Sequence, residues 1–266
     1  MSMSIGCVGC GNMGGAILAG LAASSLDCTL YGHTRTAARM APLEAASVTR
    51  LDSARELARK ARFVVMAVKP YQIEALLAEM APEFGPDTVV ISVAAGISIA
   101  RLQAAVAGRC PVVRCMPNTP ALVGKGVFAL CFDDKVPAES KEDILRFFSQ
   151  LGVCLELPES RFTAFSALIG AGPAYVFGMM QGLVQAGVTL GLGRKDCRDM
   201  VAALFEGSAV MAARSDTPLM ELRDQVCSPG GLTIAGVNVL DRAGLSGLLV
   251  DAVLAADERG REMEKE

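Results

Sequence analysis

Through the first half of the chain, short unbroken apolar runs alternate with stretches of helical spacing. From Pro158 onward the runs stop and only the helical spacing remains. Residues 5–8 read as an apolar strand, and Ala16, Ile17, Leu18, Leu21 and Ala22 then recur as one face of a helix. Further strands are expected at 28–31, 62–68, 88–93, 111–116, 127–131 and 153–157. Helices are expected over 71–80, 98–106 and about 136–150. Strand followed by helix, repeated in this way, implies an α/β fold with a mainly parallel sheet whose ligands bind at the carboxyl ends of the strands. In the second half, a helix begins at 162–169 and is interrupted at Gly170-Ala171-Gly172-Pro173. It resumes over 175–190 with Phe177, Met180, Leu183, Val184 and Val188 on its apolar positions. Cys197, Val201, Leu204, Ser208 and Met211 keep the spacing, and 245–263 supplies a last amphipathic helix.

The turn after the first strand is Gly9-Cys10-Gly11-Asn12-Met13-Gly14. Alone, this spacing is weak evidence, but between a strand and a helix it is the dinucleotide-binding fingerprint of a Rossmann-type domain. Gly9 allows the tight turn, Gly11 the approach of a pyrophosphate and Gly14 the packing of helix on strand. The amides of Asn12 and Met13 would face the phosphates. The second strand runs out into Gly32-His33-Thr34-Arg35, where an NAD site would carry an acid for the ribose hydroxyls. With no acid there, Thr34 and Arg35 suit an extra 2′-phosphate, so NADPH is the expected cofactor and NADH the alternative. Arg35 also reads as an ordinary solvated loop charge, and His33 as a neighbour of adenine or phosphate. The other strand ends, Ala67-Val68-Lys69-Pro70, Ala94-Ala95-Gly96 and Met116-Pro117-Asn118, fall on the same cofactor edge.

A second glycine turn, Ser228-Pro229-Gly230-Gly231-Leu232-Thr233, opens a helix carrying Ile234, Val237, Val239 and Leu240. It is either a plain turn or a cradle whose converging N–H groups take a carboxylate, with the Thr233 hydroxyl at its edge.

Bulk properties narrow the class. The 266 residues suffice for two modest domains, expected at 1–158 and 159–266. Hydrophobic residues make up 52% and the mean hydropathy is +0.41, high unless surface is buried between subunits. The longest apolar stretches are cut by Lys69-Pro70, by Gly170, Gly172 and Pro173, or by Gly191 and Gly193, which argues against a membrane and for a soluble oligomer. A net charge of −3 gives no footprint for nucleic acid. The start of the chain has no basic segment ahead of an apolar one, so a cytoplasmic location is expected. Nine scattered cysteines suit reduced thiols, and Cys7 with Cys10 lacks a second ligand pair, so no metal site is expected.

Taken together and in this order, the glycine turn at 9–14, Ala67-Val68-Lys69-Pro70, Ala94-Ala95-Gly96, Arg114-Cys115-Met116-Pro117-Asn118-Thr119-Pro120, Gly172-Pro173-Ala174-Tyr175 and the turn at 228–233 closely resemble the pyrroline-5-carboxylate reductase family over essentially the whole chain. The resemblance implies NADPH-dependent reduction of 1-pyrroline-5-carboxylate to L-proline, the last step of proline synthesis. It also implies an all-α carboxyl-terminal domain that interlocks with a second copy as a dimer or assembly of dimers. By the same resemblance, Ser228, Gly230, Gly231 and Leu232 would bind substrate, with the last three offering amides to its carboxylate. Thr233 would meet the ring nitrogen as the catalytic group, Asp216 would stand by the substrate, and Gln225 by the cofactor. Three positions depart from the family pattern: Ala54 and Gln225 stand where Asn is frequent, and Ala171 where Ser is.

The implied chemistry matches the inventory. A protonated cyclic imine is already electrophilic, so no histidine base is required, and His33 is the only histidine. Three other readings stay open on sequence: a different imine reductase, a 3-hydroxyacid dehydrogenase resting on Lys195, or an NADPH-binding sensor without turnover.

Overall fold

The computed structural model describes residues 3–264. One sheet of eight strands carries the first half: β1 Met3–Val8, β2 Cys28–His33, β3 Thr49–Arg50, β4 Phe63–Met66, β5 Val89–Ser92, β6 Val112–Met116, β7 Gly126–Phe132 and β8 Gly152–Glu156. Their spatial order is β3-β2-β1-β4-β5-β6-β7-β8, so the chain reverses direction across the sheet between β1 and β4. That is where an open parallel sheet leaves a crevice at its carboxyl edge. All pairings are parallel except β6 with β7. The link between those two strands spans only residues 117–125 and its one helical piece is the 3-10 turn Thr119–Val123, too short for a crossover that would restore the parallel direction.

The period of two along the strands sorts their side chains onto two helical layers. On one face, Phe63 and Val65 of β4 pack with Ile17, Leu18 and Leu21 of α1 (Asn12–Ala22) and with Ile144, Phe147 and Phe148 of α6 (Ala138–Ser149). Rings of Phe147 and Phe148 stand 4.5 Å apart, and Phe63 and Phe128 extend the stack. On the other face, Val64 and Met66 meet Leu57 of α3 (Ala54–Lys60), Ile73 and Leu77 of α4 (Pro70–Met80) and Leu102 of α5 (Ile99–Ala105). Short α2 (Ala41–Ala45) follows β2 and contributes Leu43 to the first face.

Four helix starts are fixed locally. Pro70 and Pro173 take early positions in their helices, where their missing N–H is no loss. Ser53 and Ser98 cap α3 and α5 by accepting from the N–H groups of Glu56 and Arg101.

The remaining helices are α7 Phe162–Phe165, α8 Gly172–Thr189, α9 Arg194–Ala213, α10 Leu219–Gln225, α11 Leu232–Arg242 and α12 Leu245–Met263. A π-helical segment, Ser166–Gly170, separates α7 from the break before α8. The chain divides into two compact units, one running to Gly170 and taking in the residues from Asp257, the other Ala171–Ala256. The first unit extends past 158 because Phe162 and Phe165 pack with Ala129 of β7, and because the buried Arg114 of β6 stacks over Phe162 at 4.7 Å and pairs with Glu159 at 3.1 Å. Glu159 also accepts from the Ile99 N–H at 2.8 Å, tying the loop after β5 in place.

The second unit has almost no core of its own. Within it, only Val184 and Cys197 are fully buried among the described residues, where Cys197 of α9 packs at Gly187 of α8. Phe177, Leu190, Leu204, Met211 and Leu254 lie open. By length and composition alone, the helical stretch Glu159–Thr189 could cross a membrane, and 11% of its apolar window is buried. The interruption read at Gly170–Pro173 in the sequence is here a switch from π- to α-helical bonding at Ala171.

Candidate active site

The first unit holds a cleft of about 1090 Å³ at the carboxyl ends of β1, β2 and β4. Its floor is the glycine turn. Gly9 has φ +96°, a conformation that disfavours side chains, and a Cβ there would press on the Ala67 carbonyl at 2.7 Å. A Cβ on Gly14 would enter the Gly9 carbonyl and stand 2.8 Å from the Cys7 sulfur, so α1 approaches the turn as closely as it does only because this residue is glycine. Gly11 caps α1 without a side-chain bond, which leaves the first amides of the helix free for an anion.

Of the residues expected on the cofactor edge, Gly9, Gly11, Asn12, Met13, Thr34, Arg35, Ala67, Val68, Lys69, Pro70 and Ala94 line this cleft. Cys10 does not: it is buried, with its thiol 3.8 Å from the Cys7 carbonyl and 3.7 Å from that of His33. Gly14 lies beneath the turn as a packing residue. Ala95 and Pro117 are outside the lining, and Asn118 is buried in structural work, donating to the Ile169 carbonyl at 3.2 Å and accepting from the Val127 N–H at 2.9 Å.

The cleft also has walls that the sequence reading passed over. Arg39, on the turn after Arg35, brings its guanidinium to 2.9 Å from where a Cβ on Gly11 would sit. Ser53 comes from the start of α3, Tyr71 and Gln72 from the first turn of α4, and Leu76 from its middle. Arg35, Arg39 and Lys69 line the cleft and make no ion pair among the described residues. That suits a phosphate-rich ligand. His33 donates from Nδ1 to the Leu51 carbonyl at 3.0 Å, which fixes its tautomer and ties the end of β2 to the loop beyond β3. These observations fit a dinucleotide: glycine where a Cβ would block, free helix amides, and three cations against the two lining carboxylates Asp52 and Glu79.

In the second unit, the expected substrate residues Ser228, Gly230, Gly231, Leu232 and Thr233 form one turn into α11. Gly230 has φ +66°, and the Gly231 N–H donates to the Ser228 carbonyl at 3.0 Å. The Gly231 amide is therefore spent inside the turn, while those of Leu232 and Thr233 have no partner among the described residues. Leu232 is 95% exposed, and the Thr233 side chain makes no hydrogen bond among the described residues. Gln225 ends α10 just before the turn. Asp216 lies in the loop between α9 and α10, and no hydrogen bond or ion pair joins it to the turn among the described residues. No three metal-ligating side chains gather anywhere in the described residues.

Comparison with known proteins agrees with both units. Residues 159–263 match the family described as pyrroline-5-carboxylate reductase dimerisation, and residues 4–96 match NADP oxidoreductase coenzyme F420-dependent. A pyrroline-5-carboxylate reductase of Corynebacterium melassecola is 35% identical, the alignment covering 98% of this chain and 99% of that one. Among solved structures, the pyrroline carboxylate reductase of Plasmodium falciparum with NADP bound superposes with a TM-score of 0.88 at 30% identity, over 98% of each chain. The pyrroline-5-carboxylate reductase of Coxiella burnetii gives 0.91 at 29% identity, over 99% of each chain. With the nucleotide cleft, the helical unit and this end-to-end similarity in agreement, the chain belongs to the pyrroline-5-carboxylate reductase family.

Proposed function

We infer that this chain reduces 1-pyrroline-5-carboxylate to L-proline and that it prefers NADPH to NADH. The observation that carries the cofactor preference is the end of β2, where Thr34 and Arg35 replace the expected acid. These residues suit a ribose bearing a 2′-phosphate better than a bare pair of ribose hydroxyls, to which they bring no carboxylate acceptor. The reduced nicotinamide, when bound, supplies a hydride.

The second unit does the substrate work. The free amides of Leu232 and Thr233, at the positive end of α11, hold the carboxylate, with Gly230 keeping the turn open. Ser228 closes the turn through its carbonyl. The Thr233 hydroxyl orients the ring nitrogen and relays a proton through water. Because the protonated imine is already electrophilic, holding it in position supplies most of the acceleration. Asp216 and Gln225 serve as the polar surround of substrate and cofactor. The open apolar faces of α8, α9 and α12 are covered by a second copy, which gives the unit the core it lacks alone. The direct test is product analysis: the purified chain should form one L-proline for each NADPH consumed. NADPH consumption without proline would overturn the substrate assignment.

A further inference from the structure

Tyr71 is 83% exposed and yet lines the nucleotide cleft. A ring this size left in water at the mouth of a binding cleft is short of a partner. Its backbone is held: Pro70 precedes it at the start of α4, and the Lys69 N–H donates to the Gln72 side-chain oxygen at 3.4 Å. Tyr71 stands in the arm of the cleft between α3 and α4, whose inner faces share one apolar cluster through Leu57 and Ile73.

That arm is distinct from the part that binds phosphate. The free amides and the cations Arg35, Arg39 and Lys69 account for the phosphates, whereas Ala54, Ala75 and Leu76 present carbon. Of the nearby polar groups, the Ser53 hydroxyl accepts from the Glu56 N–H and the Gln72 oxygen from the Lys69 N–H, and the lining also holds the carboxylates of Asp52 and Glu79. What this side of the cleft offers a ligand is carbon from Ala54, Ala75 and Leu76, one aromatic ring, and carboxylates that disfavour a phosphate. The part of a dinucleotide that suits such a surface is the base.

We propose that Tyr71 stacks on the adenine of the bound cofactor and sets the affinity for the adenosine half. The proposal rests on the reading that the cleft holds NADP(H). Stacking of this kind does not sense the 2′-phosphate, so Tyr71 tightens NADPH and NADH alike and leaves the choice between them to Arg35.

The chain contains no tryptophan, so Tyr71→Trp installs a single indole as reporter. Its emission should be quenched by 2′,5′-ADP, which carries the base, and left unchanged by reduced nicotinamide mononucleotide, which does not. Calorimetry on Tyr71→Ala should show Kd raised roughly ten-fold for NADPH, NADH and 2′,5′-ADP together, with Tyr71→Phe close to the parent chain. If Tyr71→Ala binds NADPH as tightly as the parent, stacking is overturned and the cofactor reading stands. If Tyr71→Ala also weakens reduced nicotinamide mononucleotide by the same factor, the residue shapes the loop and the proposal fails. If the parent binds neither NADPH nor 2′,5′-ADP, the cofactor reading falls with it.

Discussion

The carbonyl oxygen of Gly9 occupies the space that a Cβ on Gly14 would need. The relationship couples helix position to the floor of the nucleotide cleft, since α1 cannot carry a side chain there without lifting off the turn. Gly14→Ala should therefore destabilise the fold by about 1–3 kcal/mol through overpacking and should weaken NADPH binding with it. Gly15 is the control: a Cβ there meets nothing closer than the Cys10 carbonyl at 3.8 Å. Gly15→Ala should leave stability unchanged or raise it by up to about 1 kcal/mol, as alanine does in a helix interior. Urea midpoints and NADPH titrations on the two variants separate these effects.

In the proposed cofactor pose, Arg35 and Arg39 would meet different parts of NADPH. Arg35 follows Thr34 at the end of β2, while Arg39 reaches over Gly11. Arg35→Ala should raise the KM for NADPH roughly ten-fold, the scale of one charge-assisted hydrogen bond, with NADH barely affected. Arg39→Ala should weaken both donors, because the phosphates near the glycine turn are common to them. Steady-state kinetics with each donor checks the split.

Thr233 is exposed and its hydroxyl has no hydrogen-bond partner among the described residues, so its removal should cost the fold little. Thr233→Ala should lower kcat on the order of a hundred-fold, as loss of a positioned proton-transfer group does, while the Kd for NADPH stays unchanged. Thr233→Ser should recover most of the rate. Equal losses in turnover and NADPH binding would assign the residue a structural role instead.

Burial pushes the Cys110 thiol up to about 12 and that of Cys154 to about 11. In the unfolded chain these thiols ionise near pH 8.5. Above that pH the folded state keeps protons that the unfolded state has released, so stability is fully present at neutral pH and is lost as pH rises toward those raised values. Urea midpoints should fall between neutrality and strongly alkaline buffer. Cys110→Ala should lower the starting stability and flatten the slope.

Much of this architecture was legible from periodicity, and the exceptions have physical reasons. Strand 63–66 is buried on both faces and reads as an unbroken apolar run, while α4 shows its buried stripe at Ile73, Leu77 and Met80. By contrast, β3 has two residues and pairs only with β2, too little for any period to show. α3 was missed because Ala54-Arg55-Glu56-Leu57-Ala58-Arg59-Lys60 has a single large apolar residue. Its start was nevertheless written in the sequence: Ser53 and Glu56 are spaced as a capping box, and the Glu56 carboxylate accepts from the Asp52 N–H at 3.2 Å. The reversed direction of β7 depends on the length of a connection, which alternation along a strand does not encode.

At the site, the glycine turns stood out because backbone geometry restricts which residues can occupy them. Cys10 and Asn118 fall within the right motifs, but their side chains turn inward, and only packing against Cys7, Ile169 and Val127 reveals that. Tyr71 and Arg39 were hidden for the opposite reason. Tyr71 sits in the first turn of α4 and Arg39 in a three-residue 3-10 turn, where an exposed ring or charge is unremarkable until the cleft beside it is seen.

In the proposed reaction, carboxylate capture by the start of α11 is joined to reduction of the neighbouring imine. The measurement that tests it most directly is the rate of NADPH oxidation by the purified chain with 1-pyrroline-5-carboxylate against the rate with 1-pyrroline, the same ring without its acid group. Rapid oxidation with the first and a kcat/KM lower by roughly a hundred-fold or more with the second is the predicted result, the scale of two charge-assisted hydrogen bonds. Equal rates on both rings, or no oxidation with either, would contradict it.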